Sequence, residues 1–149
     1  MIVAKFLHVL SVVIWVGGMF FAYMALRPVA AERLDPPQRL SLWEGVFSRF
    51  FPWVWGSVAV ILGSGVSMMI SMGMPPTHYV SLMFVLGVVM MLLFAHVYFA
   101  PFKRLKRAVT AKDWPAGGAA LGQIRKLIAI NLSLGLITVT VATLGVYLG

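Results

Sequence analysis

From residue 50 to residue 102 the chain runs for 53 residues without one formally charged side chain. A helix rises 1.5 Å per residue and a hydrocarbon layer is ~30 Å thick, so ~20 residues cross it once. The run is too long for one crossing and suits two joined by a tight turn, for which Gly73, Pro75 and Pro76 are the natural residues. A second uncharged run, residues 6–26, and a third, beginning after Lys126, add two more crossings. The expected fold class is therefore an all-α integral membrane protein, a four-helix bundle forming one domain over residues 1–149. Its spans are expected at about 5–27, 52–72, 79–102 and 127–148. The first run is about twice the apolar core of a secretory leader and is followed at once by Arg27, which reads as a span rather than a cleaved peptide.

Composition agrees: 11% of residues are charged, against about 25% in soluble domains. The formal net charge of +8 would suggest nucleic acid in a soluble protein, but these charges flank apolar spans. Topology and anionic membrane lipid explain them instead. Four Lys and Arg residues (27, 33, 39, 49) fall in the first connection, seven (103, 104, 106, 107, 112, 125, 126) in the third, and only Lys5 beyond the other end. The first and third connections are thus expected in the cytoplasm and both termini outside, facing the periplasm if the membrane is a bacterial inner membrane.

Within the first connection, Pro36 and Pro37 should stop the preceding helix. Downstream, Leu40, Trp43, Val46, Phe47 and Phe50 recur at helical spacing, with Arg39, Glu44 and Arg49 on other faces. That is the pattern of a short interfacial amphipathic helix between spans one and two, or of a lead-in turn to span two. In span two, Ala59, Gly63 and Ser67 form a small-residue ladder suited to close helix approach. The hydroxyls of span four, among them Ser133, Thr138, Thr140 and Thr143, can bond to their own helix carbonyls.

Polar side chains inside spans are functional candidates by default. His8 shares a helical face with Ser11, Val12, Trp15, Met19 and Ala22. At the same outer end the stretch MMISMGMPPTH brings Met68, Met69, Met72, Met74 and His78. With no cysteine in the chain, a set of thioethers and imidazoles suits Cu(I) better than Mg²⁺, Ca²⁺ or Zn²⁺. Packing is the competing reading, because Met is a common filler of apolar gaps. At the inner end, His96 and Asn131 are each about five residues from the cytoplasmic limit of their spans, so they are expected to hydrogen-bond unless His96 binds a ligand. Haem b held between helices by axial histidines is the alternative cofactor to copper. It requires His8 and His96 to meet despite depths that differ by roughly 15 Å.

The runs LHVLSVVIWVGGMFF at residues 7–21 and AHVYFAPFKRLKRA at 95–108 resemble the CopD-like copper-resistance membrane family. More distantly they are similar to the HemJ-type protoporphyrinogen oxidases. The shared features are His8, Trp15, Gly17, Gly18 and His96. The first resemblance implies copper movement or resistance. The second would imply haem b and oxidation of a tetrapyrrole, with His8 and His96 carried over. The lysine expected early in the third span of that family is missing from residues 82–87.

All four carboxylates, Glu32, Asp35, Glu44 and Asp113, lie in cytoplasmic connections, so acid-base catalysis inside the bundle has no residues to run on. Gly17-Gly18 lies within an apolar helix, where it serves close packing, and Gly117-Gly118 can act as a hinge. The functional expectation is copper handling at the outer face through His8, Met68, Met72, Met74 and His78. The alternatives are a haem b protein using His8, Trp15, His96 and Asn131, and a non-catalytic accessory subunit. A periplasmic copper carrier or redox partner and a homo-oligomer are the protein partners these readings imply. A reporter enzyme fused after Gly149 in a bacterial host is expected to be active in the periplasm, and cytoplasmic activity would invert the bundle.

Overall fold

The computed structural model describes residues 2–73 and 77–148, with side chains to residue 147. Four long helical rods make up the described residues. Helix α1 (Ile2–Phe21) passes through a π-helical turn (Ala22–Leu26) into α2 (Arg27–Arg33). Helix α3 spans Pro36–Met72, α4 spans His78–Phe99, α5 spans Pro101–Ala111 and α6 spans Trp114–Leu148. The rods are 32 to 37 residues long, roughly 48–56 Å at 1.5 Å per residue, and each has an apolar stretch able to cross a membrane. Many large apolar side chains point away from the bundle, including Val13 at 60%, Trp53 at 66%, Ile70 at 70% and Leu92 at 65% exposure. Such a belt belongs in lipid, and the chain is an integral membrane protein.

Each rod outruns its ~30 Å span, and the surplus lies at the basic end. Pro36 and Pro37 end one rod and begin the next, since proline's fixed φ suits the first turn of a helix. Arg33 is the last residue of α2, and Asp35 in extended geometry precedes α3. Residues 40–50 are not a separate interfacial helix. They are the opening turns of α3, and their apolar face buries Leu40, Trp43 and Phe47 inside the bundle. Likewise α6 begins 13 residues before the expected span four. Lys112 adopts left-handed geometry (φ 57°), and the Asp113 side chain accepts the Ala116 N–H at 3.3 Å as a helix cap. Gly117 is accordingly no hinge. It lies inside α6, where a Cβ would come within 3.0 Å of Leu40 Cδ1 and 3.5 Å of Ala108 Cβ.

Helix α1 lies against α3, while α4 and α5 pack along α6. An aromatic seam joins the two pairs. Phe51 stacks on Phe47 at 5.0 Å and meets Phe102 at 4.9 Å and Phe94 at 5.3 Å edge-on, while Trp15 of α1 reaches Phe94 at 6.3 Å. Such pairs contribute about 0.5–1.5 kcal/mol each beyond area burial. Leu105 and Ile124, both at 0% exposure, extend the core into the basic end.

Close approach uses other small residues than the ladder Ala59, Gly63 and Ser67, all three of which are exposed. Of the Gly17-Gly18 pair, only Gly18 faces a neighbour, the Phe50 ring, where a Cβ would collide. At Gly145 a Cβ would come within 2.7 Å of Tyr79 Cβ, an atom tied to the α4 backbone. Gly145→Ala should therefore push α4 and α6 apart and destabilise by about 1–3 kcal/mol. Gly63→Ala, with nothing within 4 Å, should not. Thermal unfolding in detergent measures both, and equal melting temperatures would contradict this packing.

Candidate functional site

His8 projects from α1 on the line predicted by helical periodicity, where Ser11, Trp15, Met19 and Ala22 are buried. Its Nδ1 lies 3.0 Å from Ser64 Oγ on α3. Ser64 has a single hydroxyl proton, and its oxygen sits 2.6 Å from the Val60 carbonyl and 3.3 Å from that of Ile61. With that proton on the backbone carbonyl, as is usual for serine in a helix, the hydroxyl faces His8 as an acceptor. In the matching tautomer the neutral imidazole carries its proton on Nδ1 and donates to Ser64 Oγ. Its Nε2 keeps a free lone pair, and the ring is held in orientation from behind. Gly65 completes the seat. A Cβ there would lie 3.4 Å from His8 Cε1, so the ring sits beside a position with no side chain.

The other donors of the outer end belong to the same region of the fold but differ in burial. Met68 is one turn beyond Ser64 on α3 and is half-buried, as is Met69. Met72, the last residue of α3, and His78, the first of α4, are exposed. Met74 lies outside the described residues, as do Pro75 and Pro76 of the expected turn. Among the described residues no group of three or more His, Cys, Asp or Glu side chains assembles to hold a metal ion.

The inner pair does not form. Asn131 is buried, and its Nδ2 donates to the Met90 carbonyl at 3.3 Å, while Oδ1 is buried with no hydrogen-bond partner. His96 is exposed, on the side of α4 away from buried Phe94 and Val97. Counting residues from the expected span ends misplaced both, because α6 continues for thirteen residues past its expected start and α4 leads directly into α5. Asn131 consequently stands opposite Met90, between one and two turns from His96.

The cavity beside Trp15, Phe94 and Asn131 measures about 20 Å³, room for about one water, and no histidine lines it. That cavity is too small for a porphyrin.

Two structural features escaped the sequence reading. One is Ser64, whose signal was a hydroxyl set between two glycines (63–65) on a span. The other is a larger cavity at the basic end, lined by Arg27, Arg39 and Arg125. Those arginines had a ready explanation as topology determinants, which hid their convergence.

Comparison with known proteins gives one family. Residues 44–144, well over half of the chain, match the model described as copper resistance protein D. The matched residues run from α3 to α6 and leave out α1 and His8. No curated protein and no solved structure matches.

The geometry assigns Asn131 a packing role. Asn131→Leu removes a weak side-chain bond and an unsatisfied buried oxygen together, so stability in detergent should change by less than about 1 kcal/mol. A loss of 3 kcal/mol or more by chemical denaturation would show that Oδ1 has an essential partner.

Proposed function

Because the chain belongs to the copper resistance protein D family, we propose that it handles Cu(I) at the outer end of the bundle, with His8 as nitrogen ligand. The observation that supports this reading is the Ser64 contact, which holds the His8 ring in one orientation through Nδ1 and leaves Nε2 as the nitrogen open to a ligand. Met68, Met72 and Met74, with His78, supply the remaining donors. The set is soft and neutral. Cu(I) is the common biological ion that binds thioethers well, whereas zinc would favour thiolate or carboxylate ligands, and all four carboxylates of this chain lie in the first and third connections.

The gradation in exposure suits a passing cargo. Met72 and His78 are open at the surface, while Met68 and His8, the latter two turns into α1, are both half-buried. An ion arriving at the exposed donors can step to the inner ones by exchanging one neutral ligand at a time, which keeps each intermediate partly coordinated. Thioethers carry no proton at any physiological pH, so only the imidazole steps compete with protonation. The outer end faces the periplasm of a bacterial inner membrane in this reading, where a copper carrier would deliver or collect the ion.

Cu(I) competition titrations on the purified protein test the assignment. His8→Ala should lower affinity by at least tenfold while the bundle stays folded. Ser64→Ala, which frees the ring to turn, should cost about tenfold, at the low end for outer-shell partners of a metal ligand. Met68, Met72 and Met74 changed together to Leu should keep bulk and lose copper. His96→Asn should bind as the parent does. Unchanged copper binding in both His8→Ala and the triple methionine variant would reduce those residues to packing and leave an accessory role as the better reading.

A further inference from the structure

At the basic end, the π-helical turn, α2, α3 and α6 enclose a cavity of about 250 Å³. Arginines from three helices line it: Arg27 of α2, Arg39 of α3 and Arg125 of α6. No acidic residue does. Tyr23, Trp43, Phe47 and Trp114 supply aromatic walls, beside aliphatic Leu40, Leu121 and Ile128. Three cations converging on a partly apolar cavity repel one another unless an anion sits among them.

The arginines are also held ready. Arg27 Nε donates to the Tyr23 carbonyl at 3.2 Å, and its guanidinium lies 4.3 Å from the centre of the Tyr23 ring. The π-helical turn explains that bond. The Arg27 N–H reaches back to the Ala22 carbonyl and Pro28 has no N–H, so the Tyr23 carbonyl loses its helical donor and takes the side chain instead. Arg39 donates through one terminal nitrogen to the Leu34 carbonyl at 3.2 Å, while its Nε is buried without any partner. A buried guanidinium N–H left unpaired is costly in a protein interior, and an acceptor entering the cavity would satisfy it.

We propose that this cavity binds a phosphate group, the anion whose several oxygens match converging guanidinium forks. Its size, below the ~300 Å³ lower end of drug-sized ligand pockets, suits a headgroup rather than a bulky cofactor. The phosphate can come from an anionic phospholipid, whose glycerol and acyl chains would follow the apolar walls toward the membrane, or from free phosphate in the cytoplasm. Basic pockets between membrane helices on the cytoplasmic side are natural sites for anionic lipid. This site is separate from the copper ligands at the opposite end and does not depend on them.

Two of the lining residues are tryptophans, so tryptophan emission reports binding directly. The full-length protein in a neutral maltoside micelle is titrated with phosphatidylglycerol, phosphatidylcholine and inorganic phosphate. Saturable binding of phosphatidylglycerol is expected, at least tenfold tighter than phosphatidylcholine. Arg39→Gln and Arg125→Gln should each weaken it tenfold or more, while a Lys106→Gln, Arg107→Gln double variant on exposed α5 positions leaves it unchanged. Saturation by inorganic phosphate with the same arginine dependence, and no preference for the lipid, would assign the site to free phosphate. Arg125 is exposed, so Arg125→Gln decides the matter if Arg39→Gln does not fold. No saturable response to either probe, or binding indifferent to the arginine changes, overturns the proposal.

Discussion

Phe51 is the side chain that ties α3 to the α4–α5 rod. It is 3% exposed, stacked on Phe47 and met edge-on by Phe94 and Phe102. In lipid the hydrophobic effect does not favour one helix contact over another, because acyl chains are as apolar as leucine. What remains is close packing, and flat rings in stacked and edge-on contact supply it over a large area. The Trp15 contact with Phe94 attaches α1 to this seam, and with it His8 two turns away. The position of His8 therefore depends in part on the aromatic packing at the middle of the bundle.

On either side of the seam the chemistry is opposite. The outer end presents neutral sulfur and nitrogen donors and, in the described chain, one lysine before the first span. The inner end holds arginines, lysines and all four carboxylates, with Asp113 used as a helix cap. In the proposed reading, a soft cation is attracted to the first by coordination and kept from the second by charge, so one charge asymmetry both orients the chain and separates the proposed copper end from the proposed anion site.

Much of the fold was legible because membrane thickness makes helix number a matter of counting apolar residues. The four spans, the break at Pro36 and the buried face Ser11, Trp15, Met19, Ala22 all follow from length and 3.6-residue periodicity. Where the helices end was less legible, since the basic extensions are too polar to read as membrane spans. Residues 40–50 continue α3, and residues 114–126 start α6, because Leu40, Phe47, Ala120 and Ile124 find partners only in the assembled bundle. That extension in turn displaced Asn131 from His96. The His8 contact with Ser64 joins residues 56 apart, a distance at which no local pattern speaks, and the convergence of Arg27, Arg39 and Arg125 is equally non-local.

The claim that His8 and methionine thioethers together hold Cu(I) is tested most directly by X-ray absorption at the copper edge on the loaded, full-length protein. The account predicts a Cu(I) edge and a mixed shell of sulfur with one or two imidazole nitrogens, from which a nitrogen contribution is lost in His8→Ala. A shell of light atoms with no sulfur, or one that His8→Ala leaves unaltered, would contradict it.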